Sequence, residues 1–125
     1  MIEPLIISNT IRTAGVEFDA EKAFLLIRGN SIPENSDYFF QPLFEWVDKF
    51  TVEHSGKVTL RIFMTYFNTS TIRHIIGIMK KLIQKYGEEL TIVWAYETGD
   101  DEIKDRGQDI SEVVRFDFTF EEVPY

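Results

Sequence analysis

The 125-residue chain contains no cysteine. Disulfides, thiolate nucleophiles and zinc–thiolate sites are therefore closed to it. Histidine is scarce. His54 falls in a predicted turn and His74 in a predicted helix, neither with ligand spacing around it, so no metal site is expected. No apolar run approaches the ~20 residues that span a bilayer. Residues 1–10 lack the basic start and apolar stretch of a secretory signal. Membrane insertion and export are set aside, and the expected location is cytoplasmic. Positive charge is also short, with 13 Lys and Arg against 21 Asp and Glu, a net charge of −8. Such a surface repels phosphate backbones, so no nucleic-acid partner is expected. There is no Gly-rich phosphate loop and no Gly-x-Ser-x-Gly elbow. The acidic run Asp100-Asp101-Glu102 through Asp109 lacks the order of a calcium loop and reads as a solvated face. No catalytic residue and no cofactor are expected.

What the chain has in quantity is core-forming material. It is 44% hydrophobic and 14% aromatic, with 11 Phe, a composition that argues against disorder. Its length suits one domain over 1–125. The spacing predicts a short strand at 4–8, then a β-hairpin from Gly15–Asp19 and Ala23–Arg28 around a four-residue turn. Residues 29–33 break that pattern. A helix starts near Pro33–Ser36 and carries Phe39, Phe40, Leu43, Phe44, Trp46, Val47 and Phe50, with Pro42 either kinking it or marking its first turn. These aromatics read as core. Residues 57–67 alternate as a central strand covered on both faces. Helix 70–86 and strand 90–96 complete a parallel, right-handed βαβ unit. A short helix interrupted at Gly107 and a final strand at Phe116–Phe120 close the chain. The expected class is α/β, a mixed sheet with a central parallel βαβ unit and helices packed on it.

The segment Tyr66-Phe67-Asn68-Thr69-Ser70-Thr71-Ile72 joins the central strand to its helix and places three consecutive hydroxyls behind an Asn. Free backbone N–H groups point out of a helix N-terminus, so such a hydroxyl can either cap the helix or carry a phosphate. On these residues alone, ordinary capping by Asn68 or Thr69 explains the corner. The carboxyl ends of parallel strands are also where ligands and modifications meet such folds. A phosphate there adds about −1.5 to −2 charge and leaves the scaffold in place, while a partner docked over the corner feels the new charge. A rival reading is a small nucleotide- or ligand-binding domain, or an enzyme, using the strand ends near Asn68 and Trp94.

The residues also resemble a known family. Glu3-Pro4-Leu5-Ile6-Ile7, Gly29-Asn30-Ser31-Ile32-Pro33-Glu34-Asn35, Phe40 with Pro42 and Trp46, Tyr66-Phe67-Asn68-Thr69-Ser70, Trp94 with Tyr96, and Gly107 with Asp109 follow in order along nearly the whole chain. Together they resemble the SiaC-type regulatory phosphoproteins, small bacterial domains with a STAS-like fold related to anti-sigma-factor antagonists. The resemblance implies a non-catalytic switch whose phosphoacceptor is the Thr after the Asn, here Thr69, with Ser70 and Thr71 as alternative acceptors. It implies a dedicated serine/threonine kinase, a PPM-type phosphatase, and a diguanylate cyclase as a target, hence cyclic-di-GMP signalling and biofilm regulation. Asn68, Thr69, Ser70, Thr71 and Arg73 are the expected partner-binding residues. Thr71 stands where the family usually has Ser and Arg73 where Lys is common; Gln108 and Ile110 replace an acidic and an aromatic residue.

Overall fold

The computed structural model describes residues 2–124. Strands β1 (Leu5–Ile7), β2 (Gly15–Asp19) and β3 (Phe24–Ser31) are followed by helix α1 (Ser36–Glu53), strand β4 (Val58–Phe67) and helix α2 (Thr69–Tyr86). A single 3-10 turn at Gly87–Glu89 leads into β5 (Leu90–Glu97), α3 (Asp101–Val114) and β6 (Thr119–Val123). The six strands lie side by side in chain order. The pairs β1/β2 and β2/β3 are antiparallel; β3/β4, β4/β5 and β5/β6 are parallel.

Strand order decides where the helices go. Each parallel crossover adds its strand on the same side of the last one. Right-handed crossovers that advance in one direction place every helix on the same face. Side chains agree with this: Trp46 of α1 lies 5.2 Å from Phe18, and Gly107 of α3 lies against Trp94. Phe18 and Trp94 share the face of Leu60 and Ile62, and all four are buried. The expected β4 covered on both faces is thus corrected. Val58, Leu60, Ile62 and Met64 are buried under helices, while Thr59, Arg61 and Phe63 on the other face are half-buried. That second face is closed by side chains: Arg28 pairs with Glu17, and Arg61 donates to Glu121 at 2.7 Å while lying over the Phe63 ring. The bond from Arg61 holds the Glu121 carboxyl below its ordinary value of 4.5.

Four boundaries differ from the sequence reading for physical reasons. Strand β3 runs through the expected break to Ser31, because Gly29 takes φ +93° and an extra residue of β4, Thr65, opposite the Gly29–Asn30 step absorbs the irregularity. Helix α1 continues across Pro42; five buried side chains, from Phe40 to Phe50, offset the ~3 kcal/mol that an interior proline costs. Helix α3 is not interrupted at Gly107. A Cβ there would sit 2.4 Å from the Trp94 indole, whose Nε1–H donates to the Ile103 carbonyl at 2.9 Å, so the glycine is a contact point. The last strand begins at Thr119 rather than Phe116. Arg115 ends α3 in the left-handed region (φ +54°), and the Phe116 backbone is bonded on both sides by Ser111. Three βαβ units are present where one was read.

Candidate functional site

The bulge between β3 and β4, where Thr65 of β4 is the extra residue, sets the corner. Upstream of it, the helix-facing residues of β3 pair with even-numbered residues of β4; downstream, Ser31 pairs with Phe67. The shift turns Tyr66 outward, where it is 59% exposed, and brings Phe67 into the core. The chain then leaves the sheet at Asn68, whose N–H donates to the Ser31 carbonyl at 3.1 Å.

Asn68 is the N-cap of α2. Its Oδ1 accepts from the Thr71 N–H at 3.0 Å and from the Ser70 hydroxyl at 3.0 Å. Thr71 is fully buried. Its hydroxyl donates to the Ser31 carbonyl at 3.0 Å, which leaves the Ser31 hydroxyl to donate to Thr71 Oγ1 at 2.8 Å. Thr71 is therefore corrected as an alternative acceptor and as a surface contact: its oxygen faces the sheet and both of its bonding roles are taken. Ser70 is half-buried with its proton engaged by Asn68. Thr69, the first residue of α2, is exposed, and its hydroxyl has no partner among the described residues. Of the three hydroxyls, the geometry leaves one free.

Arg73 lies one turn further along α2, exposed and without an ion pair among the described residues. Residues three or four apart on a helix are neighbours, so Arg73 and Thr69 share a face. Arg106 of α3 holds its guanidinium 4.6 Å from the centre of the Phe67 ring. On the other flank, His74 stacks on Phe40 with ring centres 4.9 Å apart, donates from Nδ1 to the Ser70 carbonyl at 2.7 Å, and meets Asp37 of α1 through Nε2 at 2.9 Å. The sequence reading placed His74 in a helix without ligand spacing and did not tie it to the corner; nor did it single out Ser31 or Asp37 by itself. Beyond its place in the Gly29–Asn35 segment, the signal for Ser31 was a hydroxyl ending an otherwise apolar strand face.

The electrostatics of the corner are unusual within this chain. Helix α1 carries Asp37 in its first turn and α3 carries Asp101 and Glu102, but α2 has no acidic residue there. Its partial positive N-terminus is left uncompensated. Trp94, on the parallel neighbour strand β5 where it pairs with Ile62, offers no comparable opening. Trp94 is 1% exposed beneath α3, and four surface clefts of about 360–460 Å³ among the described residues are lined by neither Asn68 nor Trp94. Among the described residues, no group of three His, Asp or Glu is placed to hold a metal, and no helix is long and apolar enough to cross a membrane.

Residues 7–123 match the family model described as SiaC family regulatory phosphoprotein. The chain belongs to the SiaC family. It is 25% identical over 119 residues to an uncharacterized protein of Pseudomonas aeruginosa strain UCBPP-PA14, covering 94% of each chain. SiaC of Pseudomonas aeruginosa superposes with a TM-score of 0.82 at 24% identity, over 99% of this chain and 100% of that one. A further match, with a TM-score of 0.86 at 24% identity over 97% of this chain and 99% of the other, comes from the crystal structure of the diguanylate cyclase SiaD in complex with its activator SiaC. In that relative the same fold activates an enzyme by binding it. The α/β class with a mixed sheet thus stands, and the fold is that of SiaC.

Proposed function

We propose that this SiaC-family protein is a non-catalytic, phosphorylation-controlled binding switch, and that Thr69 is its phosphoacceptor. In this reading a serine/threonine kinase adds the phosphate, a PPM-type phosphatase removes it, and the unphosphorylated corner docks on a diguanylate cyclase, so that the switch feeds cyclic-di-GMP and biofilm signalling. The site of action is the cytoplasm, where ATP is available. Asn68, Thr69, Ser70 and Arg73 form the contact surface, with Thr71 supporting it from below.

One observation carries the reading. Thr69 holds the free, exposed hydroxyl of the corner, on a helix N-terminus that lacks the acidic residue its sister helices possess. A phosphate placed there meets uncompensated N–H groups, and Arg73 stands one turn away to pair with it. The fold tolerates the charge, whereas an interface closed over the corner would have to bury it unpaired.

The test is phosphorylation of the purified chain with a candidate kinase and ATP, followed by mapping of the modified peptide. Phosphate on Thr69, with loss of cyclase binding and recovery after phosphatase treatment, is the expected result. Phosphate confined to other residues, or none in cells where the switch operates, would refute it.

A further inference from the structure

In a core otherwise built from apolar side chains, the described residues include two fully buried polar ones, Ser31 and Thr71, and they bond each other. Burying two hydroxyls is unfavourable unless each finds a partner, and an apolar pair of the same shape would serve packing as well. Here both hydroxyls are satisfied in a closed arrangement. Thr71 donates to the Ser31 carbonyl at 3.0 Å, Ser31 donates back to Thr71 Oγ1 at 2.8 Å, and the same Ser31 carbonyl takes the Asn68 N–H at 3.1 Å. Asn68 then closes the loop by accepting the Thr71 N–H at 3.0 Å. The two residues either side of the acceptor position, 68 and 70, and residue 71 beyond them are all tied down by side-chain bonds; among the described residues, Thr69 is enclosed by those ties with no side-chain bond of its own.

We infer that Ser31 is a positioning residue for Thr69: through its latch on Thr71 it keeps the first turn of α2 closed and displays the Thr69 hydroxyl at one fixed point. This rests on the Thr69 reading above. First turns of helices open most easily, because their N–H groups have no partners within the helix. A hydroxyl that frays in and out of the helix would present many geometries to an enzyme or a partner. A phosphoryl transfer that depends on near-attack placement loses rate when its acceptor wanders. The bulge at Thr65 of β4, opposite the Gly29–Asn30 step, belongs to the same device, since it brings Phe67 into register with Ser31 and so sets the Ser31 carbonyl under the corner.

Two variants separate the latch from general packing. Thr71→Val keeps the shape and removes the hydroxyl, and Thr71→Ser restores the hydroxyl. Amide hydrogen exchange is read at Thr71 and Ile72, whose N–H groups both bond to Asn68, with β4 and the later turns of α2 as internal controls. Thr71→Val and Ser31→Ala are expected to speed exchange at 71–72 about tenfold, while β4 stays protected and Thr71→Ser remains near wild type. In parallel, steady-state phosphorylation by a kinase that modifies the wild-type chain is expected to show a kcat/KM about tenfold lower for Thr71→Val, restored in Thr71→Ser. Unchanged exchange at 71–72 in Thr71→Val overturns the latch. Faster exchange with equal kcat/KM in the Val and Ser variants overturns the positioning role. If exchange responds but the wild-type chain is never phosphorylated at Thr69, the failure lies in the acceptor assignment, and the positioning claim falls with it.

Discussion

Helices α1 and α2 begin almost alike. Each has an Asn cap whose Oδ1 accepts the N–H three residues on, at 3.1 Å for Asn35 and 3.0 Å for Asn68. Each cap is followed by a hydroxyl residue at the first helical position, Ser36 or Thr69. The difference comes next. Helix α1 continues with Asp37, which compensates the positive end of its helix and also reaches His74; α2 continues with Ser70 and has no acid in its first turn. Ser36 is half-buried and Thr69 exposed. Cap chemistry alone therefore does not mark a switch. What marks it is a reachable hydroxyl beside a helix terminus whose charge has been left for something else to complete.

The hardest blow to this comparison would come from the acceptor itself. Thr69→Ala is expected to abolish phosphorylation in the kinase reaction, whereas Ser36→Ala leaves it at the wild-type level; both are read by intact-mass spectrometry. Equal labelling of the two variants would mean that the likeness of the corners outweighs their difference.

Charge can then be placed without any enzyme. Thr69→Asp is expected to weaken effector binding by about 2–5 kcal/mol, the range for an unpaired charge buried at an interface, with an unchanged circular dichroism spectrum. Thr69→Ala should bind nearly as well as wild type. Calorimetric titration of both distinguishes lost shape from added charge, and equal affinities would show that charge is not the signal.

The caps should be of equal worth even though the corners are not. Asn35→Ala and Asn68→Ala are each expected to cost about 1 kcal/mol of stability in urea unfolding. Asn68→Ala alone should also loosen Ser70, whose hydroxyl it anchors, and so change the corner's exchange with solvent. A much larger cost at Asn68 would show that the corner is a general keystone of the fold.

Much of this architecture was legible in the chain. The α2 periodicity and the alternation of β4 and β5 gave the βαβ unit, since local pattern and long-range packing ask for the same residues there. The one-sided helical layer was not legible, because half-buried Thr59, Arg61 and Phe63 look alike whether a helix or a layer of ion pairs covers them. Gly107 read as a break because its reason, the Trp94 indole, comes from another strand. At the corner, Asn68, Thr69, Ser70 and Thr71 stood out as a group. Their separate duties did not, since these depend on Ser31, 40 residues away from Thr71. The sequence shows how many hydroxyls there are, but only the fold decides which one is spare.

The smallest expected effect bears most directly on why the corner is bare. If the α2 terminus is left uncompensated so that a phosphate can complete it, a permanent carboxylate should do part of the same work. Ser70→Asp restores to α2 the acid that α1 has in its own first turn. It is expected to stabilise the fold by about 0.3–1 kcal/mol at low salt, with the gain shrinking as salt rises, measured by thermal unfolding across ionic strength. The bond from Ser70 to Asn68 is lost in that variant, which sets a limit on the gain. A stabilised Ser70→Asp that also resists phosphorylation would show that a more stable residue was available at the corner. The vacancy would then be a property kept for signalling, at a small cost in stability. A destabilised variant would show instead that the Asn68–Ser70 bond outweighs the dipole, and that Thr69 is free only because its neighbours are not.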